Sequence, residues 1–400
     1  MASFVSYLLL ALAVLLAIPV TVLLIEILAA LSLPQRQLLL NLANETRQRV
    51  TVLVPAHNES AGILPTLEDI KIQMLAGDRL IVIADNCIDD TAAVAKAAGA
   101  EVIERNDAKK RGKGHALDYG LKHVSLGPPA IVMIIDADCR LKSGAIDHLT
   151  KMCAKTKRPV QALDLMIAPK ESSINFRVAE FAWRVKNWVR PLGLATLNLP
   201  CQLMGTGMAI PWSLIRSVNL ASGSIVEDLK LGFDLALSGN PPLFCPSATV
   251  ISYFPSSVDG AKTQRNRWEQ GHIDLILTSV PRYIYHAVAK GNLGLLALAL
   301  DLAVPPLSLL AILLAALFFV NLFAALFGFS SAALVITAIC CVAFMIAMFA
   351  SWLAYGRDIL EPSSLISIAS YIFAKLPLYR RSLSGRPTQS WTRTDRKKDE

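Results

Sequence analysis

The stretch Ile131-Val132-Met133-Ile134-Ile135-Asp136-Ala137-Asp138 places two carboxylates directly after a run of apolar, mostly β-branched residues. Such a run is typical of a buried strand. Two acids that close a buried strand would cost free energy if they had no partner. A divalent cation that also binds phosphate oxygens is the natural partner, because hard cations take carboxylate and phosphate ligands together. Since D-x-D sequences are common, this stretch predicts a metal site only in combination with other motifs.

Further strands are predicted around this one, and helices are predicted between them. The predicted strands are Val50–Pro55, Leu80–Ala84, Glu101–Ile103 and Ala130–Ile135. The helical stretches begin near Glu59, Thr91 and Lys113. This alternation predicts right-handed crossovers and a mostly parallel sheet with helices on both faces, which is an α/β fold. Ligands of such sheets bind beyond the carboxyl ends of the strands.

Polar residues cluster at those predicted strand ends. Pro55-Ala56-His57-Asn58-Glu59 follows the first strand, and Asp85-Asn86-Cys87-Ile88-Asp89-Asp90 follows the second. Asn58, Asp89 and Thr91 are also residues that cap helix N-termini. A ligand-binding role and a capping role therefore both remain open for them.

Two glycine-containing turns lie further along the chain. Arg111-Gly112-Lys113-Gly114 precedes a helix, where backbone N–H groups and a lysine suit a diphosphate, but a solvated turn fits equally well. Leu203-Met204-Gly205-Thr206-Gly207 lies between apolar segments. Neither G-x-x-x-x-G-K-[ST] nor a G-x-G-x-x-G after the first strand is present, so the common nucleotide-binding fingerprints are excluded.

Two later motifs lie on predicted helices. Glu227 and Asp228 open a helix, where acids also interact favourably with the helix dipole. Gln264, Arg267 and Trp268 share one helix face. A guanidinium beside an indole suits an anionic ligand that carries a ring, and a surface amphipathic helix is the alternative.

Taken in order, these motifs resemble the membrane-bound family 2 glycosyltransferases, which include cellulose, chitin, hyaluronan and poly-N-acetylglucosamine synthases. The resemblance covers about residues 49–275, and its most specific part is Gln264–Trp268 after Glu227-Asp228. It implies a nucleotide-sugar domain of the GT-A type. It also implies inverting transfer of a sugar from a UDP-sugar, with UDP-glucose or UDP-N-acetylglucosamine favoured, to a growing polysaccharide or glycan. The β-linked product would belong to exopolysaccharide or cell-surface glycan synthesis.

The resemblance also assigns roles to individual residues. Asp228 is expected to be the general base, and Asp138 is expected to hold Mg²⁺ or Mn²⁺. The expected nucleotide-sugar-binding residues are Pro55, His57, Asn58, Glu59, Asp85, Lys113 and Asp136. The expected acceptor- and diphosphate-binding residues are Gly205, Thr206, Gly207, Glu227, Gln264, Arg265, Arg267 and Trp268.

The sequence also bears on the alternatives to this interpretation. Val226 stands where the family has threonine, and Asn86-Cys87 stands where it has Gly-Ser, so no subfamily is favoured. A polyprenyl-phosphate or lipid-linked sugar transferase that adds a single residue is the main alternative, although it is not expected to carry Gln264–Trp268. A transporter would need more spans, and a regulator that only binds nucleotide sugars would be expected to lack Asp138 or Asp228. Processive and single addition both remain open.

Apolar stretches at both ends of the chain predict membrane helices. The predicted organisation is an anchor in residues 1–35, a cytoplasmic catalytic domain in 49–278, interfacial helices in 279–306, two spans in 307–355, and an amphipathic segment with a basic tail in 356–400. No Lys or Arg precedes Tyr7 and the first stretch is long, which favours an anchor over a signal peptide. Arginines follow the first and the last span, so the positive-inside rule places the catalytic domain and the tail on the cytoplasmic side of the cell (inner) membrane.

Composition narrows the partners. The chain is 54% hydrophobic and 18% charged, with a mean hydropathy of +0.48, which excludes disordered, collagen-like and small disulfide-rich proteins. Residues 380–400 carry a net charge of +4, half of the +8 of the whole chain, which suits an anionic leaflet, while nucleic-acid binding finds no support. Seven cysteines without C-x-x-C spacing indicate neither a disulfide framework nor a zinc site. The expected partners are a UDP-sugar donor, a glycan or lipid-linked acceptor, membrane lipids and other polysaccharide-export proteins.

Overall fold

A computed structural model describes residues 2–32, 42, 44–169, 172–218, 220–221, 227–255, 258–329 and 331–366, together with residues 368, 371, 372, 375, 376 and 379. The chain forms two compact units. The unit called here the sheet unit comprises Pro34–Pro169, Asn198–Trp268 and Gln389–Glu400. The helical unit comprises Met1–Leu33, Lys170–Leu197 and Glu269–Thr388. The predicted basic tail over 380–400, the end of the predicted anchor (33–35) and Val226 lie outside the described residues.

The sheet unit is built on an eight-stranded sheet with the order β3-β2-β1-β4-β7-β6-β8-β5. Its strands are β1 (Val50–Ala56), β2 (Arg79–Asp85), β3 (Glu101–Arg105), β4 (Ile131–Ile134), β5 (Arg140–Leu141), β6 (Val160–Ile167), β7 (Met208–Pro211) and β8 (Leu243–Tyr253). The pairs β1–β2, β1–β4, β2–β3 and β6–β8 are parallel. The pairs β4–β7, β5–β8 and β6–β7 are antiparallel. The prediction of an α/β fold with a mostly parallel sheet is confirmed.

The helices begin close to the predicted positions. In chain order they are α1 (Ala2–Ser32), α2 (Ile63–Lys71), α3 (Thr91–Ala97), α4 (Lys113–Val124), α5 (Ala145–Thr156), α6 (Ile174–Arg184), α7 (Arg190–Thr196), α8 (Trp212–Ile215), α9 (Glu227–Leu237), α10 (Val258–Thr278), α11 (Val280–Lys290), α12 (Leu293–Leu302), α13 (Leu307–Leu326) and α14 (Ser331–Tyr355). A π-helical turn, Val185–Val189, joins α6 to α7, and a 3₁₀ turn spans Pro362–Ile366. The helix predicted near Glu59 starts at Ile63, because the Glu59 carbonyl first closes a turn with the amides of Gly62 and Ile63.

Alternate residues of the central strands supply two separate cores. Val52 and Val54 of β1 pack on one face of the sheet, in a cluster that contains Ile63 of α2. Leu53 packs on the other face, in a cluster that contains Leu117 of α4. Because side chains alternate across a strand and both faces are covered, the central strands read as continuous apolar runs.

The antiparallel strand β7 determines which loop reaches the end of β4. Met208 pairs with Ile134, so the chain that enters β7 lies beside the carboxyl end of β4. The loop Met204–Gly207 therefore lies next to Asp136. This placement follows from strand direction, since antiparallel neighbours put the start of one strand beside the end of the other.

Three described helices of the helical unit are long and apolar enough to cross a membrane: Ser3–Ser32, Leu307–Leu326 and Ser331–Tyr355. They coincide with the predicted apolar spans. Asn321 of α13 donates to the Thr337 hydroxyl of α14 over 2.8 Å. The helices α11 and α12 fall in residues 279–306, where interfacial helices are expected.

The segment Lys170–Leu197 packs with the apolar helices in the helical unit. Gly193 of α7 touches the backbone of α1, since an added Cβ would lie 1.8 Å from the Glu26 carbonyl oxygen. Arg190 Nε lies 2.7 Å from the Glu26 carboxylate, and Arg190 Nη2 pairs with the Asp301 carboxylate of α12. Three charged side chains that are distant in sequence thus form one buried cluster.

Candidate active site

The loops after β1 and β2 are joined by hydrogen bonds at the carboxyl edge of the sheet. His57 Nδ1 lies 2.6 Å from the Asp85 carbonyl oxygen. The Asn58 side-chain oxygen accepts the Ile88 backbone N–H over 2.8 Å. Asn58 also adopts a φ of 55°, in the left-handed region that asparagine tolerates well. Asn58 therefore shapes the junction between the two loops, because its side-chain oxygen binds the loop after β2.

The neighbouring residues hold the same junction. Pro55 pairs with Ile83 inside the sheet, and the Glu59 backbone N–H donates to the Thr91 hydroxyl over 2.8 Å. Asp89 accepts the backbone N–H groups of Thr91 (3.1 Å) and Ser60 (3.2 Å). Burial raises the pKa of Asp89, but the hydrogen bonds from Thr91 and Ser60 have a larger effect in the opposite direction. Together they lower the pKa of Asp89 to about 2. Asp89 thus holds the start of α3 through Thr91, while the N-cap position itself is Asp90, which makes no side-chain cap bond.

Asp85 is buried at the end of β2 and is paired with a basic residue. Its Oδ1 lies 2.5 Å from Arg105 Nη1 and accepts the Asn86 side-chain amide over 3.0 Å. Asp85 and Arg105 face each other in the β2–β3 register. The residue expected to contact the nucleotide base is therefore held rigidly by its neighbours.

Lys113 opens α4 and projects toward the end of β4. Its ammonium pairs with the Asp136 carboxylate and donates to the Gly205 carbonyl oxygen over 2.9 Å. Burial lowers the pKa of Lys113, but Asp136 and Glu227 raise it more, so the ammonium stays charged. The structure thus brings together the glycine turn, the D-x-D and the Gly205 loop, which the sequence spreads over almost 100 residues.

Asp136, Asp138 and Cys139 could hold a metal ion. One ligand atom from each lies within 4.8 Å of the others. Burial raises the pKa of Asp136, and the carboxylate of Asp138 adds to this effect against the opposing charge of Lys113. Two carboxylates that repel each other favour a divalent cation, and their oxygen donors suit Mg²⁺ or Mn²⁺. The donor set therefore fits the predicted metal.

The loop Met204–Gly207 lies between Lys113 and the predicted base. Gly205 has a φ of +89°, and a Cβ added to it would lie 3.3 Å from Asp228 Oδ2 and 3.5 Å from Lys113 Nζ. The Thr206 hydroxyl accepts the Asp136 backbone N–H over 3.1 Å. Gly207 packs against β6 and β8, because an added Cβ would lie 2.7 Å from Ala162 Cβ and 2.9 Å from Val250 Cγ2.

Glu227 and Asp228 form the first turn of α9. Burial and the adjacent Asp228 carboxylate raise the pKa of Glu227 to about 7, against the opposing effect of Lys113. Asp228 adds to the field around Lys113 and Asp136. The two acids therefore belong to the same electrostatic cluster as the D-x-D and Lys113.

Gln264, Arg265, Arg267 and Trp268 lie half-buried on α10. Burial lowers the pKa of Arg267, and the nearby Glu227 carboxylate opposes that effect. Arg267 therefore lies in the electric field of Glu227, the first residue of α9. The Gln264 side-chain oxygen is buried and has no hydrogen-bond partner among the described residues.

Three residues of this region were not predicted from the sequence. Arg105 was missed although it closes a strand beside one that ends in Asp85. Cys139 was missed although it directly follows the D-x-D. Gln161 was missed although it is a polar residue at the start of the apolar strand β6. The position of each residue is visible in the sequence, but its role becomes clear only when the pairing of the strands shows which groups lie next to it.

Residues 47–271 match the family model described as glycosyltransferase like family 2. Poly-beta-1,6-N-acetyl-D-glucosamine synthase of Staphylococcus aureus (strain COL) is 27% identical over 244 residues, which cover 57% of this chain and 55% of that synthase. The chain thus aligns with about half the length of the relatives it matches. The 4,4'-diaponeurosporenoate glycosyltransferase of Staphylococcus aureus (strain USA300) is 34% identical over 119 residues, or 29% of this chain and 31% of that enzyme.

Among solved structures, the mannosyltransferase PcManGT from Pyrobaculum calidifontis, in complex with GDP-Man and Mn²⁺, aligns over 94% of this chain and 95% of its own. The sequence identity is 18% and the TM-score is 0.49. Glucosyl-3-phosphoglycerate synthase from Mycobacterium tuberculosis, in complex with Mn²⁺, UDP and phosphoglyceric acid, aligns over 52% of this chain and 68% of its own. Its identity is 20% and its TM-score is 0.33.

Proposed function

The chain belongs to glycosyltransferase family 2 and is a glycosyltransferase, and from that premise we propose that it is an inverting enzyme of the cell membrane. It transfers a sugar from a UDP-sugar, with UDP-glucose or UDP-N-acetylglucosamine favoured, to a growing polysaccharide or glycan, and forms a β-linkage. The observation that carries this proposal is the convergence of Lys113, Asp136 and Asp228 around the backbone of Gly205. One small region thus offers a cation for a diphosphate and a carboxylate for a proton.

The nucleotide sugar is proposed to lie along the carboxyl edge of the sheet. Asp85, fixed by Arg105, receives the base, and the junction formed by Pro55, His57, Asn58 and Glu59 forms the pocket wall. The Lys113 ammonium attracts the diphosphate. Asp136 and Asp138 would hold Mg²⁺ or Mn²⁺, which when bound supplies positive charge opposite the diphosphate oxygens.

The chemical step is a single displacement at the anomeric carbon. The Asp228 carboxylate takes the proton of an acceptor hydroxyl, and that oxygen forms a bond to the anomeric carbon. The bond between this carbon and the diphosphate oxygen breaks, and its electron pair leaves with UDP. Lys113 and Arg267 are the cations proposed to stabilise the negative charge that develops on the leaving group. Attack from the opposite side converts an α-linked donor into a β-linked product.

The acceptor side is proposed from the loop and from α10. Gly205 and Glu227 border Asp228, and Thr206 and Gly207 continue the same loop, while Gln264, Arg265 and Trp268 offer polar and aromatic surface for a sugar. A polymer acceptor is supported by the likeness to the poly-N-acetylglucosamine synthase over about half of that protein. The three apolar helices support a membrane location, and the proposed orientation has the sheet unit and the tail in the cytoplasm.

A donor screen tests this function. Membranes that contain the full chain would be incubated with UDP-glucose, UDP-N-acetylglucosamine or UDP-glucuronate and with Mg²⁺ or Mn²⁺. UDP release and product size would be measured. We expect UDP release with one donor and a high-mass or water-soluble product. A short lipid-extractable product would indicate single addition to a lipid carrier instead, and no release with any donor and metal would refute the enzyme's proposed donor class.

Replacement of Asp228 by asparagine tests the proposed base. We expect Asp228→Asn to lower kcat by about 10²–10⁴-fold, because an amide cannot take the proton of the acceptor hydroxyl. Binding of the UDP-sugar should change less than about three-fold, since Asp228 is assigned to the acceptor. Asp234→Asn, on the same helix in a surface pair with Lys230, is the matched control and should keep full activity. Loss of donor binding with turnover retained per bound donor would contradict the assignment.

A further inference from the structure

Gln161 is a fully buried amide in an otherwise largely apolar part of β6. Its Nε2 donates to the carbonyl oxygens of Thr206 (2.8 Å) and Ala162 (2.9 Å). Its Oε1 accepts the backbone N–H of Met204 over 2.8 Å. The amide therefore uses both donor hydrogens and its acceptor, and two of these three bonds go to the loop Met204–Gly207.

The strand itself holds the end of the same loop. The Ala162 backbone N–H donates to the Gly207 carbonyl oxygen over 2.8 Å. A Cβ on Gly207 would clash with Ala162, so the loop lies directly on β6 at this point. Gln161 and Ala162 together fix the loop at Met204, Thr206 and Gly207.

The opposite side of this loop carries the polar groups of the candidate active site. The Gly205 carbonyl oxygen accepts Lys113 Nζ, and the Thr206 hydroxyl accepts the Asp136 backbone N–H. A Cβ added to Gly205 would lie only 3.3 Å from Asp228 Oδ2, so the loop also lies close to the proposed base. A shift of the loop would therefore move the Lys113 ammonium, the first carboxylate of the D-x-D and the proposed base Asp228 relative to one another.

We propose that Gln161 is a positioning residue for sugar transfer: its buried amide holds the loop Met204–Gly207 in the place that sets Lys113 and Asp136 opposite Asp228. This inference rests on the proposed function. Gln161 touches none of the reacting groups and acts through the loop alone.

The chemistry of the contacts explains why an amide is needed. Two carbonyl oxygens require a donor and one N–H requires an acceptor, and only a primary amide of this length offers both. An ionised glutamate would place negative charge against two carbonyl oxygens, and methionine would remove all three hydrogen bonds. Gln161→Met keeps the approximate shape of the side chain and removes its hydrogen bonds, so it separates the contribution of hydrogen bonding from that of packing.

The test compares Gln161→Met and Gln161→Glu with Gln73→Met in the full chain, purified in detergent. Gln73 is a glutamine of the same unit that also joins two segments, since it accepts the Ile146 N–H (3.3 Å) and donates to the Asp69 carbonyl oxygen (3.0 Å), but it does not contact the loop. We expect both Gln161 variants to lower kcat by about 10- to 100-fold, the range found when groups that orient catalytic ligands are removed. The donor KM should stay within about three-fold, and Gln73→Met should keep kcat within about two-fold.

Hydrogen exchange of the peptide that covers residues 203–208 supplies a readout that does not need turnover. We expect exchange of this peptide to be at least about ten-fold faster in Gln161→Met and unchanged in Gln73→Met, because the Met204 N–H loses its acceptor. Retained kcat in both Gln161 variants, or an equal loss in Gln73→Met, would overturn the inference. An inactive wild-type chain would instead refute the proposed function, and unchanged exchange of the 203–208 peptide would then overturn the positioning role by itself.

Discussion

At the scale of single residues, the candidate site depends on close approach and on charge. A Cβ added to Gly205 would lie 3.3 Å from Asp228 Oδ2, which is closer than most Cβ contacts in proteins, and Gly205 has a positive φ. Glu227 carries a pKa close to neutrality because burial and Asp228 oppose its ionisation. Both features lead to predictions that can be checked with single substitutions.

Replacement of Gly205 by alanine should damage turnover more than stability. A positive φ costs an alanine about 1 kcal/mol, and the new methyl group would also press on Asp228 Oδ2 at 3.3 Å. We expect a kcat at least about ten-fold lower. Gly239→Ala is the matched control, since Gly239 has a φ of +82° and open space around it. It should show a similar loss of thermal stability with normal turnover, and equal kcat losses in the two variants would contradict the argument.

The raised pKa of Glu227 predicts a dependence of stability on pH. A carboxyl group whose pKa is raised from 4.5 to about 7 on folding stabilises the protein fully below pH 4.5, and this contribution is lost as the pH rises to about 7. Between pH 5 and 8 the wild type should therefore lose stability relative to Glu227→Gln, by up to about 3 kcal/mol. Thermal unfolding in detergent at several pH values measures this difference.

Glu101 supplies a control of opposite sign for the pH experiment. Burial raises the pKa of Glu101, but hydrogen bonds to His123 and Arg79 lower it more. A lowered carboxyl pKa stabilises the folded state at neutral pH, and the effect is lost on acidification. Glu101→Gln should therefore be less stable than the wild type at neutral pH, and this difference should disappear as the pH falls. If stability relative to the wild type changed with pH in the same direction for Glu101→Gln and Glu227→Gln, the assignment for Glu227 would be wrong.

At the scale of helices and strands, much of the architecture could be predicted from local patterns. The first strands and the starts of α3 and α4 agree with the sequence analysis, because apolar periodicity and turn residues are local signals. The position of β7 was not predicted, since a short antiparallel strand between β4 and β6 has no local signature. Yet the pairing of β7 with β4 brings the preceding loop, with Gly205 and Thr206, to the D-x-D. The hydrogen bond between Thr206 and Asp136 could therefore not be predicted from the sequence.

The contact between α1 and α7 yields a prediction at this scale. A Cβ on Gly193 would lie 1.8 Å from the Glu26 carbonyl oxygen, so Gly193→Ala must separate the two helices. We expect a marked fall in thermal stability in detergent, of about 2 kcal/mol or more. Gly232→Ala in α9 is the matched helical control, because its new methyl group meets Leu203 at an ordinary 3.5 Å. It should be neutral or stabilising by up to about 1 kcal/mol, and a Gly193 variant as stable as that control would contradict the packing.

At the scale of the whole molecule, charge inside the helical unit ties distant parts of the chain together. Glu26 lies in the apolar helix α1 and Asp301 in the apolar helix α12, and neither has an oppositely charged residue next to it in the sequence. Arg190 pairs with both, and it lies in a segment that was predicted to belong to one continuous catalytic domain over residues 49–278. All three side chains are buried, so each depends on the others for compensation of its charge.

Removal of the arginine should therefore destabilise the protein strongly. Arg190→Met leaves two buried carboxylates without their cation, and we expect a loss of about 3–5 kcal/mol, measured as a lower thermal midpoint in detergent. The triple variant Glu26→Gln, Arg190→Met and Asp301→Asn should recover part of this loss, because no buried charge then remains. Lys230→Met, which breaks the surface pair with Asp234, should change stability by less than about 1 kcal/mol. An Arg190 variant as stable as the Lys230 variant would disprove the role of the cluster.

The amino-acid sequence by itself determined the alternation of strands and helices, the apolar spans, the D-x-D and the order of motifs that resembles family 2 glycosyltransferases. These features are local, because they depend on hydrophobic periodicity and on residue types at short spacing. Only the tertiary structure decided that Arg105 pairs with Asp85, that Arg190 joins Glu26 to Asp301, and that Gln161 holds the loop beside Asp136. Such contacts join residues that are far apart along the chain, so they exist only once strand order and helix packing have brought them together.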